Sequence, residues 1–186
     1  TQGYQPNYPI YDPEQNVVFA FDRDRPILLK WNLNQQWTEI QRPNNQFIYD
    51  ATYVSGRIYF IQNSGGIGFY HIDSGFWGSL SVGSNFFAKS LVSDGRFLYL
   101  LSSSQFLKYD PQTAAIEQLS MGDNVNYTDD LFYSDDNIYS QTTYNHLLRF
   151  NIQTNTWDQI AQLQGGSTGA GVMWPYFYYP KYYQFE

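Results

Sequence analysis

A chain of 186 residues with 42% hydrophobic and 20% aromatic residues can supply a sizeable core, which excludes a disordered or collagen-like protein. Ten Lys and Arg against seventeen Asp and Glu give a formal net charge of -7, the wrong sign for a phosphate-backbone binder. No apolar run reaches the roughly 18 residues of a membrane span, and the absence of Cys excludes disulfide frameworks and Cys-ligated metals.

Only 15% of residues are charged, and 17 Gln and 14 Asn carry much of the remaining polarity. That balance leads us to expect an extracellular or surface-associated protein. The chain begins at Thr1 without Met, as expected of a processed product or an excised domain. Asn126-Tyr127-Thr128 matches the N-glycosylation acceptor pattern.

In chain order, the first unit holds NVVFAF from Asn16, after the turn residues Pro13-Glu14-Gln15, and then KWNLNQQWTEI from Lys30 to Ile40. The second runs through DATYV ending at Val54, the turn Ser55-Gly56, GRIYFI, and FYHIDSGFWGSL from Phe69 to Leu80. The third has AKSLV ending at Val92, the turn Asp94-Gly95-Arg96, GRFLYLL, and KYDPQTAAIEQL from Lys108 to Leu119. The fourth repeats the order with DLFY ending at Tyr133, Asp135-Asp136-Asn137, NIYSQT, and RFNIQTNTWDQI from Arg149 to Ile160. Short β-branched and aromatic runs between turn signals read as strands, so each unit is a four-stranded meander.

The closing aliphatics Ile40, Leu80, Leu119 and Ile160 are separated by 40, 39 and 41 residues. A meander repeated at that period is the pattern of a β-propeller, whose blades bury their faces against one another. The expected fold is therefore all-β, one domain over 1–186, with repeats at about 7–43, 44–83, 84–122 and 123–163. Residues 164–186, with strand breaks at Pro175 and Pro180, and residues 1–6 are expected to close the ring as a fifth, composite blade. Four blades are the alternative, with the aromatic C-terminal stretch then an arm for a partner. The repeated large apolar residues Trp37, Trp77, Ile116 and Trp157 are expected to pack between blades.

YDPQTAAIEQL and FNIQTNTWDQI resemble the later strands of the kelch repeat, and GRIYFI before Ser64-Gly65-Gly66 resembles its strand and diglycine. DATYVSGRIYF is also similar to the hemopexin-type repeat. Both resemblances imply a propeller.

His71 takes the place of Asn32, Asp110 and Asn151 in the other units, so a turn-capping role is expected for it. His146 is expected to be structural in the same way. The acidic pairs Asp22 and Asp24, Asp129 and Asp130, and Asp135 and Asp136 lack the spacing of a calcium loop and read as solvated turns. No nucleophile elbow, HExxH or phosphate loop is present, so no catalytic residue, metal or cofactor is expected.

Propeller sites lie where the loops between second and third strands meet the connections between blades. The expected binding residues are Asp22, Arg23, Asp24, Arg25, Asn63, Tyr144 and Asn145. Trp174, Tyr176, Tyr178, Tyr179, Tyr182 and Tyr183 are the expected interface residues. This chemistry suits a protein or glycan partner, with a homo-oligomer or larger assembly as a further option. The leading functional expectation is a non-enzymatic extracellular binding module. The alternatives are a structural subunit of an extracellular or viral assembly, and a polysaccharide hydrolase or lyase.

Overall fold

Tight turns at regular intervals fold the chain back on itself. Ser55 and Gly56 both have positive φ, 50° and 71°, as the two-residue turn of a twisted hairpin requires, and Asp135 and Asp136 repeat this at 47° and 59°. In the third unit Asp94 forms the turn through its side chain, its Oδ1 accepting from the amides of Arg96 at 2.8 Å and Phe97 at 2.7 Å.

The computed structural model describes residues 4–32, 36–122, 125, 128–142, 144 and 146–162. Sixteen strands appear among them. The first sheet contains β1 (Pro6–Asp12), β2 (Val17–Asp22), β3 (Ile27–Trp31) and β4 (Trp37–Gln41). The second contains β5 (Ile48–Val54), β6 (Arg57–Gln62), β7 (Ile67–His71) and β8 (Phe76–Leu80). The third contains β9 (Ser90–Ser93), β10 (Leu98–Leu101), β11 (Phe106–Tyr109) and β12 (Ile116–Leu119). The fourth contains β13 (Thr128–Ser134), β14 (Asn137–Thr142), β15 (His146–Asn151) and β16 (Thr156–Gln162). Each is an antiparallel meander in sequence order. Successive sheets meet through their first strands, β1 beside β5, β5 beside β9, and β9 beside β13. The first strands are thus the inner strands of a blade array.

Four blades, rather than five, occupy the described residues. The closing segment 164–186 lies outside them. Pro6, assigned by the sequence pattern to that closing blade, instead begins β1 and pairs with Asp22, because β1 supplies the inner strand of the first sheet. No helix among the described residues is long and apolar enough to cross a membrane.

Three apolar clusters fill the three spaces between neighbouring blades. Phe21 meets Phe60 edge-on at 5.1 Å between the first and second blades, and Tyr59 meets Tyr109 at 6.1 Å between the second and third. Phe106 meets Phe150 at 5.0 Å between the third and fourth. Such edge contacts add about 0.5–1.5 kcal/mol each beyond the buried area. The repeated tryptophans are less central than the pattern suggests. Trp77 and Trp157 are half-buried on outer strands, and Ile116 is exposed, because an outer strand is a sheet edge covered mainly from one side.

The inner strands are also tied by polar bonds in the core. Asp50 Oδ2 accepts from Ser90 Oγ at 2.9 Å and from the Leu91 amide at 3.0 Å, and Asp50 Oδ1 accepts from the Ala51 amide at 2.9 Å. Ser90 Oγ in turn accepts from the Leu131 amide at 2.9 Å. One hydroxyl therefore links the second, third and fourth blades. Replacing Ser90 with Ala removes a charge-assisted bond and leaves the Leu131 amide buried without an acceptor. We expect a loss of about 2–4 kcal/mol, measured as a lower urea midpoint with an unchanged slope.

Candidate functional site

In a meander, the turns between second and third strands and the connections between blades share one end of the array. A solvent-open cleft of about 500 Å³ lies there, lined by Tyr49, Gln62, Asn63, Ser64, Gly65, Phe87, Lys89, Ser103 and Asp130 among others. Of the seven large hydrophobic side chains that are exposed among the described residues, Phe47, Tyr49, Phe87 and Tyr144 belong to the turns, connections and strand starts at this end.

Irregular pairing aims polar side chains into the cleft. The register of β5 shifts between Ile48 and Asp50, which leaves Tyr49 as an extra residue, 56% exposed, in the cleft. The register of β13 shifts between Thr128 and Leu131, and Asp130 lies within that bulge. Bulges commonly redirect side chains beside active sites. Lys89 stands immediately before β9, with its amide donating to the Leu101 carbonyl at 2.7 Å. A carboxylate, an ammonium and a phenol therefore enter one cleft from three successive inner strands.

The rim is held by backbone bonds. Within the turn after β6, the Gly65 amide donates to Gln62 O at 2.8 Å, and the Gln62 amide to Gly66 O at 2.9 Å. Ala88 N donates to Gly65 O at 2.9 Å, and Asn63 N to Phe47 O at 3.0 Å, which fastens the turn to both neighbouring connections. Gly65 has φ +72°, and a Cβ there would stand 3.1 Å from the Phe87 Cβ, so both conformation and space call for glycine.

Of the residues singled out from sequence, Asn63 lines the cleft, and so does Asp130, which was read as part of a solvated turn and lies instead within strand β13. Asp22, Arg23, Asp24 and Arg25 form the corresponding turn of the first blade and do not line it. Asp22 is not a solvated turn residue: it is 4% exposed. Its Oδ1 accepts from the amides of Asp24 at 3.0 Å and Arg25 at 2.9 Å, and its Oδ2 from the Gln5 amide at 3.1 Å and the Arg25 guanidinium at 2.9 Å. Burial opposes its ionisation, but the guanidinium and the amides outweigh burial and hold the carboxyl below its ordinary range. Arg25 also sits 3.5 Å from Glu39 and stacks 4.6 Å from the Tyr4 ring centre. Tyr144 is exposed on the turn before β15. Asn145 and Trp174, Tyr176, Tyr178, Tyr179, Tyr182 and Tyr183 lie outside the described residues.

His71 ends β7, and its Nδ1 accepts from the Ser74 amide at 3.4 Å, as a turn cap. His146 begins β15, its amide donating to Thr142 Oγ1 at 3.1 Å. Among the described residues no cluster of three His, Cys, Asp or Glu is placed to hold a metal ion. Tyr49, Phe87 and Lys89 were not singled out from sequence. The available signal was Lys89, the one basic residue directly before an inner strand.

No family model matches the sequence, and no curated protein matches it. Solved structures do. Virginiamycin B lyase from Staphylococcus aureus matches at TM-score 0.65 and 14% identity, over 86% of this chain and 56% of that one. A catalytically inactive His-to-Ala form of that lyase, solved with quinupristin, matches at TM-score 0.66 over the same shares. A streptogramin B lyase matches at TM-score 0.68 and 15% identity, over 89% of this chain and 57% of that one. The chain thus spans a little over half the length of these structures. The likeness establishes the propeller fold. It lends no support to a kelch or hemopexin-type repeat. The expectation of a non-enzymatic binding module is corrected by this finding, since these solved structures of the same fold are enzymes.

Two outcomes follow from the rim. Gly65→Ala should cost about 1 kcal/mol from its positive φ and displace Phe87, read as changed Phe87 ring resonances in NMR spectra. Because the folded Asp22 carboxyl titrates below its unfolded counterpart, its contribution is complete above about pH 4 and is lost as pH falls through the lower folded value. The stability gap between the native chain and Asp22→Asn, from urea melts, should therefore be largest near neutrality and shrink in strong acid.

Proposed function

We propose that the cleft is the reaction site of a lyase-class enzyme that cleaves its substrate by β-elimination. The observation that carries this reading is the convergence of Tyr49, Lys89 and Asp130 on one cleft. Elimination needs a base for a C–H next to a carbonyl, a positive group for the charge that develops on the carbonyl oxygen, and a proton for the leaving oxygen. The Asp130 carboxylate takes the carbon-bound proton, and the Lys89 ammonium faces the enolate oxygen. Tyr49 gives its phenolic proton to the leaving oxygen as the C–O bond breaks and a C=C bond forms. Proton return from Asp130 to Tyr49 through water resets the site. The propeller fold shared with lyases supports this class.

With a net charge of -7 the chain repels long polyanions, and amides and hydroxyls surround a single lysine in the cleft. A substrate with an uncharged carbonyl and a ring face to lie on Phe87 fits best. Quinupristin, bound by one of the structural neighbours, is the first compound to test. The reading takes the cleft as part of the inner face of the blade array.

Product mass separates the chemistries. Elimination opens a ring or splits a chain with no gain of water and leaves an ultraviolet-absorbing C=C, whereas hydrolysis adds one water. We expect the former, and Asp130→Asn and Lys89→Met should each lower kcat/KM about 10²–10⁴-fold while the fold is retained by circular dichroism. Water uptake, or wild-type turnover unaffected by both variants, would refute the assignment.

A further inference from the structure

Each of the three cleft residues stands directly before a member of the buried chain that ties the inner strands. Tyr49 precedes Asp50, Lys89 precedes Ser90, and Asp130 precedes Leu131. Asp50 is 8% exposed and Ser90 0%. The Ser90 hydroxyl donates its one proton to Asp50 Oδ2 at 2.9 Å, so its lone pair is directed at the Leu131 amide, also at 2.9 Å. The Asp50 carboxylate further accepts from the Leu91 amide at 3.0 Å. These bonds run between blades, where no ladder hydrogen bond among the described residues joins one sheet to the next.

We infer that Asp50 and Ser90 are positioning residues for the reaction: their buried hydrogen bonds set the spacing of Tyr49, Lys89 and Asp130 across three blades. The inference rests on the elimination reading for its catalytic consequence, and on the geometry alone for the spacing. Neither residue touches substrate. Apolar packing can hold two sheets together yet allow them to slide, because dispersion contacts have little directionality. A hydroxyl bonded at both ends fixes distance and direction together, and displacement of reacting groups by about 1 Å can cost roughly 100-fold in rate.

The test compares Ser90→Ala with Val92→Ala, a cavity on the same strand at a residue that is 2% exposed and outside the polar chain. Ser90→Ala should lower kcat roughly 10- to 100-fold with KM within about threefold, whereas Val92→Ala should destabilise the protein with kcat nearly unchanged. Equal kcat losses in the two variants would make the role merely structural and overturn the inference. Asp50→Asn serves as a second variant should Ser90→Ala fail to fold. The double variant should lose no more kcat than the worse single one, since both break one unit, and full additivity would count against it. A substrate-free reading uses the NMR resonances of Tyr49, Lys89 and Asp130, which should shift together in Ser90→Ala and Asp50→Asn but not in Val92→Ala. Unmoved resonances overturn the positioning role. Shifted resonances in a protein that turns over no substrate uphold the spacing and remove the elimination reading instead.

Discussion

Asp50 is a carboxylate in the interior of a β protein, and a buried charge is tolerated only with donors arranged around it. It has three: the hydroxyl of Ser90 and the amides of Ala51 and Leu91. Two of these belong to the next blade. The third blade therefore cannot shift against the second without uncovering a charge. Ser90 passes the same constraint to the fourth blade through the Leu131 amide. The directional frame of the array is a short polar chain at its inner strands, and the aromatic layers pack around it.

Those layers account for much of the aromatic content. Phe19, Tyr59 and Tyr99 recur at intervals of 40 residues and are almost fully buried, each in the cluster shared with the following blade. Burial, first, and the neighbouring tyrosine push the Tyr59 hydroxyl up to about 12, although Arg57 works against this. The Tyr99 hydroxyl, also raised by burial and then by Asp94, donates to that residue at 2.9 Å. A tyrosine between blades thus fills volume with its ring and satisfies its polar tip at a turn. The aromatics left at the cleft end are different in kind: Phe47, Tyr49 and Phe87 are exposed.

A rigid frame with an irregular rim explains how a propeller can carry chemistry. The bulges in β5 and β13 lie at the ends of the inner strands, where pairing can be interrupted without uncoupling the blades. The solved lyases share the fold at 14–15% identity, too distant to transfer a residue's role. The proposed chemistry accordingly rests on the side chains that this chain itself brings together.

Repeat length, turn positions and the meander order of the strands were readable in the sequence because they depend on local rules. Asp and Gly at turns, alternating apolar residues and a constant period near 40 act within a few residues of one another. The cleft was not readable in the same way. Tyr49, Lys89 and Asp130 are each about 40 residues from the next, and no local pattern marks them as partners. Asp22 resembled a candidate ligand residue by its loop, yet its carboxylate is spent on the turn and on Arg25. The sequence by itself determined that the chain makes successive four-stranded blades. Only the tertiary structure decided which side chains meet at their inner ends, because that meeting is set by contacts between blades and by bulges that no periodicity encodes.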